Sequence, residues 1–257
     1  MTTDTTTATE LYQVYGIVGA TAELPPEITT AATYRLLRHG TVAALVGGPV
    51  QRPPRVSRAA LLDHAGLLDR VAVATAVLPA RFGTVLNGPQ EVIDMLAAHQ
   101  HDYYTALQAL HGRTQFTVKV QHIREAVLQE IVDEQPEATR LRDLLADETS
   151  GAGYYEQVRL GELVALALAA KCEADAVTLW EALTPHSAAA VPRDVTSPEA
   201  PFGGAFLVDN AHRAQFEAAA ADLVRRWEGR ARVRLLGPLA PYDFISSEPA
   251  PPAAGGR

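Results

Sequence analysis

From residue 113 onward, strand-like and helix-like stretches follow one another in an order that few folds accept. The stretch QFTVKVQ (115–121) alternates with period two, as a half-buried strand does. A helix begins at Pro136 and turns Leu141, Leu144 and Leu145 inward. SGAG (150–153) interrupts it, and a long helix follows over about 154–183, stopped by Pro185. AAAVPRDV and PFGGAFLVD read as two strands. Asp209 or Asn210 caps a helix with Phe216, Ala220, Leu223, Val224 and Trp227 on one stripe. ARVRLLGPL closes the series as a strand. Strand, helices, strand, strand, helix, strand is the β-α-β-β-α-β order of a ferredoxin-like sandwich, an antiparallel sheet with helices on one face.

The first half carries a related inventory. LYQVYGIVG (11–19) is a buried strand, and TYRLLRH and TVAALVGG are two strands turning near Gly40. Ser57 caps a helix with Leu61, Ala65 and Leu68 on one face, and RVAVATAVLP (70–79) returns as a strand. A helix over 89–111 spaces Val92, Leu96, Tyr103, Leu107 and Leu110, and Gly112 ends it. The fold class is therefore α+β with two domains, each an antiparallel sheet with helices packed on it. The expected division is a disordered leader over 1–9, a modified ferredoxin-like domain over 10–112, a ferredoxin-like domain over 113–246 and a disordered Pro/Ala/Gly tail over 247–257.

Composition narrows the chemistry. The formal net charge of −8 argues against general nucleic-acid binding, which needs a basic surface to displace counterions. Lys119 and Lys171 are the only lysines, so few candidates exist for a Schiff base or a phosphate cradle. The single cysteine, Cys172, cannot form an internal disulfide and reads as a small buried filler on a helix. No apolar run approaches the roughly 20 residues that cross a bilayer, so membrane insertion is not expected. The amino terminus has no signal-peptide pattern, and a cytoplasmic location is the default.

No phosphate loop, dinucleotide fingerprint, nucleophile elbow or HExxH motif is present. His99 and His101, two apart on a helix, point to different faces and suit a metal poorly. The carboxylate runs at 133–137 and 146–148 fall at helix ends, where they favour the dipole or water. The sequence thus points away from an enzyme, and no catalytic, metal or cofactor residue is assigned.

Three stretches, in order, resemble the gas vesicle protein F/L family (GvpF/GvpL). They are the opening strand YQVYGIVG, the stretch LPARFGTVL (78–86), close to an LPxRFGT signature, and GPLAPYDFI (237–245), close to GPxPPYxF. The FTVKV strand and a helix start with Gly151, Tyr154 and Arg159 also fit. The resemblance spans about residues 10–246. Ala240 stands where the family more often has proline, and Ala80 where a larger apolar residue is common.

The resemblance implies two α+β domains and a non-enzymatic accessory protein of gas vesicle formation. Such proteins are minor vesicle components that assist assembly of a small hydrophobic shell protein. Its partners would be that shell protein and other gas vesicle accessory proteins. The motif residues Pro79, Arg81, Phe82, Gly83, Gly237, Pro238, Pro241, Tyr242 and Phe244 are expected to be structural. Arg81 is expected to hold a carboxylate or backbone carbonyls with its planar fork, and Phe82 to pack into the core or the interdomain seam. A ligand-sensing ferredoxin-like regulatory module remains the alternative, although no metabolite loop is evident.

Overall fold

The computed structural model describes residues 10–30, 33–147, 153–193 and 202–245 of the chain. The expected leader and tail, Gly151 of the helix start, most of the SGAG break and the end of AAAVPRDV lie outside the described residues. Packing divides the chain into two compact units. One takes Met1–Phe116, Asp209–Ala211 and Gly237–Arg257, the other Thr117–Val208 and His212–Leu236.

In the first unit, β1 (Leu11–Gly19), β2 (Tyr34–His39), β3 (Val42–Val50), β4 (Val77–Pro79) and β5 (Val85–Asn87) form one antiparallel sheet. Its order is β2-β3-β1-β4, with β5 also on β1. The start of β3, from Val42 to Val46, is buried without a break. A strand reads that way when both of its faces are covered. Helix α2 (Arg58–Ala74) supplies one cover: its Leu67, Leu68, Val71 and Ala72 cluster with Val18, Ala43 and Leu45. Helices α3 (Gly88–Ala98) and α4 (Gln100–Leu110) also pack on the sheet and bury Val92, Leu96, Leu107 and Leu110. A short helix, α1 (Pro26–Thr29), adds Ile28 to the α2 cluster.

Three expectations for this half need correction. The 70–79 stretch is not one strand, because α2 continues to Ala74 and only Val77–Pro79 pairs with β1. A V-A-V-A run suits either period, and packing decides it: Val71 and Ala72 join Leu67 and Leu68 in the buried cluster, and the Thr75 N–H still donates to Val71 O at 2.9 Å. The inward face of α2 is also turned: His64, Leu67, Leu68, Val71 and Ala72 are buried, and Leu61 is exposed. Finally, the 89–111 helix is two helices, broken at His99, whose φ of −119° leaves the helical range. Gly112 ends α4 as expected, with a φ of +70°.

The second sheet has the order β7-β8-β6-β9, from β6 (Arg113–His122), β7 (Ala189–Pro192), β8 (Phe202–Asp209) and β9 (Ala231–Leu239). The helices between β6 and β7 are α5 (Arg124–Glu134), α6 (Pro136–Ala146) and α7 (Tyr154–Leu183). Helix α8 (Arg213–Arg226) lies between β8 and β9. This order is compatible with the ferredoxin-like arrangement read from the sequence. Aromatic rings fill the second unit's core. Trp180 lies 5.1 Å from Phe206, Phe206 5.5 Å from Phe216, and Phe202 5.9 Å from Trp227.

Helix α7 begins and ends where the sequence placed it. Leu144 is exposed on α6, not inward, and Val224 is exposed on α8. Neither Asp209 nor Asn210 caps α8. A 3-10 turn over Asn210–His212 precedes that helix. Both side chains are engaged elsewhere: Asp209 accepts from Arg113 Nε at 2.9 Å, and Asn210 from the Thr114 hydroxyl at 2.7 Å.

Candidate functional surface

The LPARFGTVL stretch is one interrupted edge of the first sheet. Leu78 pairs with Ile17 and Pro79 with Gly16, and the Ala80 N–H still donates to Tyr15 O at 2.8 Å. The chain then bulges outward over residues 81–84. Thr84 closes the bulge, its N–H and its hydroxyl both donating to Arg81 O, at 3.2 and 2.8 Å. Gly83 takes a φ of +85°, which side-chain-bearing residues avoid. Val85 and Leu86 rejoin β1 opposite Gln13 and Tyr12 before α3 begins. The stretch therefore does not leave the sheet for the helix directly, as its proline and glycine suggest; it leaves and returns.

Pro79 is buried in β4 and Phe82 is half-buried on the ring of His64, 5.6 Å away. His64 stacks on Tyr15 at 5.2 Å, and Tyr15 meets Tyr34 edge-on at 5.4 Å. Arg81 differs from expectation. Its side chain is exposed and makes no hydrogen bond or ion pair among the described residues. The Arg81 backbone carbonyl holds the bulge, and its guanidinium is free.

The second motif is tied to the same unit. A Cβ on Gly237 would lie 2.5 Å from the Phe116 ring, and φ there is +151°. Pro238 is half-buried, Pro241 buried, Tyr242 exposed on one side and Phe244 half-buried. Ala240, the departure from the family's proline, is fully buried in the α2 cluster. Its N–H donates to Asp69 Oδ1 at 2.8 Å, a bond that proline could not make. Gln115 clasps Asp243: its amide nitrogen donates to the carboxylate, and its Oε1 accepts the Asp243 N–H at 3.1 Å. Burial, and next the nearby Asp69, pushes the Tyr242 phenol up to about 12.

Helix α2 thus holds both motifs through two side chains that sequence reasoning passed over. His64 lies 3.1 Å from Ala80 O through Nε2, and Asp69 takes the Ala240 N–H. A signal for His64 existed, since it falls on the apolar stripe with Leu67, Leu68 and Val71. The Asp69 signal did not, because only its packing shows what it faces.

Burial holds the His64 pKa below the ordinary value, outweighing the Ala80 bond. Nε2 donates to the carbonyl, so Nδ1 carries the lone pair, and Nδ1 is buried without a partner. Protonation would place an unsatisfied N–H there. The unfolded chain accepts that proton near pH 6.5, so it binds more protons than the fold as pH falls through about 6.5. Stability is therefore expected to drop from about pH 7.5 to about pH 5.5, and His64→Phe should flatten the slope. Urea titrations at the two pH values check this. Two melting curves test the motif anchors. Asp69→Ala should cost about 1–3 kcal/mol by orphaning the Ala240 N–H, and Arg81→Ala should leave the melting temperature unchanged.

In the second unit, charged groups converge on Arg230. Its Nε donates to both Glu130 oxygens, at 2.7 and 2.9 Å, and its Nη1 to Asp175 Oδ2 at 2.7 Å. Asp175 also lies 2.8 Å from His122 Nε2, and Lys171 reaches Glu130 at 3.2 Å and Glu134 at 2.8 Å. Cys172 Sγ is 3.7 Å from His122 Nδ1. That order looks like a nucleophile, base and carboxylate. However, burial first, and then Asp175, push the Cys172 thiol up, which keeps it protonated and poorly nucleophilic. Cys172 is half-buried rather than a fully buried filler.

His99 and His101 are both exposed. Among the described residues no group of three or more His, Cys, Asp or Glu side chains is placed to hold a metal ion. No described helix is long and apolar enough to cross a membrane.

The family model for gas vesicle synthesis protein GvpL/GvpF matches residues 11–246. The chain belongs to that family. Gas vesicle protein F of Streptomyces sp. (strain CB03234) is 32% identical over 218 residues, covering 82% of this chain and 87% of that protein. Gas vesicle protein L of the same strain is 30% identical over 234 residues, covering 82% of each. The fold is also that of GvpF crystal structures. The protein from Anabaena sp. PCC7120 superposes with a TM-score of 0.76 at 21% identity, over 92% of this chain and 99% of that one. The protein from Microcystis aeruginosa gives 0.70 at 20% identity, over 92% and 98%. GvpL/GvpF membership covers both motifs and the strand YQVYGIVG, so the opening resemblance holds.

Proposed function

We propose that this chain is an accessory protein of gas vesicle assembly that binds the hydrophobic shell protein and helps its nucleation or prevents its aggregation. The observation that carries this reading is the match to a gas vesicle synthesis family over nearly all of the described fold. A wall that excludes water must present apolar surface, and its free subunits would associate through that surface and through open strand edges. A chain with net charge −8 that covers such surface stays soluble while it does so. The reading places the protein in the cytoplasm at the growing vesicle, as a minor component, beside the shell protein and other accessory proteins. It assigns no catalytic step and no cofactor.

Co-expression with an affinity-tagged copy of this chain tests it. The shell protein should be captured, and the capture should survive extensive washing. Recovery of the tagged, folded chain without shell protein would defeat the reading.

A further inference from the structure

Among the described residues β2 is an outer strand, hydrogen-bonded to β3 alone. Gly40 and Thr41 form a two-residue loop between the two, which makes His39 and Val42 the closing pair. A closing pair of this kind exchanges both hydrogen bonds, and the pattern alternates from there. Leu37 and Arg35 therefore bond inward, to Ala44 and Val46. The backbone N–H and C=O groups of Tyr34, Leu36 and Arg38 point out of the sheet. None of them has a partner among the described residues.

An open groove of about 630 Å³ runs between this edge and the 22–29 segment. Leu24, Ile28, Tyr34 and Leu36 line its apolar part. Arg38 stands at one end, on the same strand face as Tyr34 and Leu36 because the three are two apart. Its Nε donates to Ala20 O at 3.0 Å, and its remaining N–H groups meet no carboxylate among the described residues. Arginines on an outer strand are often a guard against strand addition. Here the guard is selective: Arg35 and Arg38 outweigh Glu23 in the lining, and a guanidinium with N–H groups to spare repels cations and attracts a carboxylate.

We propose that the β2 edge accepts an extended segment of a partner protein, added antiparallel, with the pattern acidic-x-apolar-x-apolar. Its backbone bonds to the three outward residues, its apolar side chains cover Leu36 and Tyr34, and its carboxylate meets Arg38. A second copy of this chain fits less well. Antiparallel pairing of two β2 strands about Leu36 sets Arg38 opposite Tyr34 and gives its guanidinium no carboxylate. The inference rests on the shell-binding reading only for the source of the strand.

The probe is a fluorescein-labelled peptide, acetyl-Thr-Glu-Thr-Val-Thr-Val-Thr-amide, titrated with the full chain and followed by anisotropy. Saturable binding is expected. N-methylation of the two valines should abolish it, and exchanging the glutamate for lysine should weaken it roughly 10-fold. Arg38→Glu should reverse that preference; it gives up one exposed bond to Ala20 O, and an unchanged melting curve checks that the fold is intact. No binding, or equal binding of the N-methylated peptide, overturns the proposal. So does a dimer in sedimentation that uses this edge in place of the peptide. Shell capture is scored separately with Arg38→Glu. Undiminished capture removes the edge and leaves the shell reading, whereas peptide binding without any shell capture removes the shell reading and leaves the edge.

Discussion

Arg230→Ala is expected to lower the unfolding free energy by roughly 3 kcal/mol, a fall in melting temperature of about 6–12 °C. Arg230 joins Glu130 to Asp175, the one cation among the described residues that does so, and the Asp175 side chain is only 12% exposed. Removing the guanidinium leaves a mostly buried carboxylate with His122 as its remaining partner. Leaving a charge uncompensated in low dielectric costs far more than an exposed pair contributes. The contrast is built into the same unit. Arg159 pairs with Glu137 in the open, with side chains 41% and 46% exposed, and Arg159→Ala should leave the melting curve unchanged. Equal, small effects of both substitutions would show that the Arg230 cluster contributes no more than a surface pair.

Gly237→Val should be comparably damaging for a different reason. The added Cβ would stand 2.5 Å from the ring of Phe116, which is 1% exposed. The backbone there holds a φ of +151°, which a branched residue adopts only under strain. Overpacking and strain together should cost about 2–5 kcal/mol. Gly19→Ala is the matched control, since no atom beyond its own chain neighbours lies within 4 Å of its added Cβ. Urea denaturation of the two variants checks the pair. A Gly237→Val midpoint close to the wild type would mean that the chain moves aside there at little cost.

Much of the fold was legible because period and punctuation agreed. LYQVYGIVG and ARVRLLGPL are strands with the boundaries their patterns imply, and α7 stops where Pro185 requires. The sequence misled where one run satisfied two periods. Val71 and Val73 alternate as in a strand, yet Val71 belongs to the helical stripe of His64, Leu67 and Leu68. It also misled where a side chain had a stronger tertiary partner, as at Asp209 and Asn210.

The motifs named the family but not their own chemistry. Arg81, the most conspicuous residue of LPARFGTVL, contributes its backbone carbonyl, whereas His64 and Asp69, in neither motif, hold both motifs to α2. The Arg230 cluster gathers Glu130, Asp175 and His122 from three separate elements, so no local spacing announces it. The β2 edge was equally silent, because a strand's position in its sheet is a property of the topology.

Sedimentation tests whether this chain binds the shell protein. Shell protein is diluted from denaturant into buffer, with and without an equimolar amount of this chain, and centrifuged. The chain should keep the shell protein in the supernatant, and the two should co-elute on size exclusion. Shell protein that pellets to the same extent in both samples would contradict that binding.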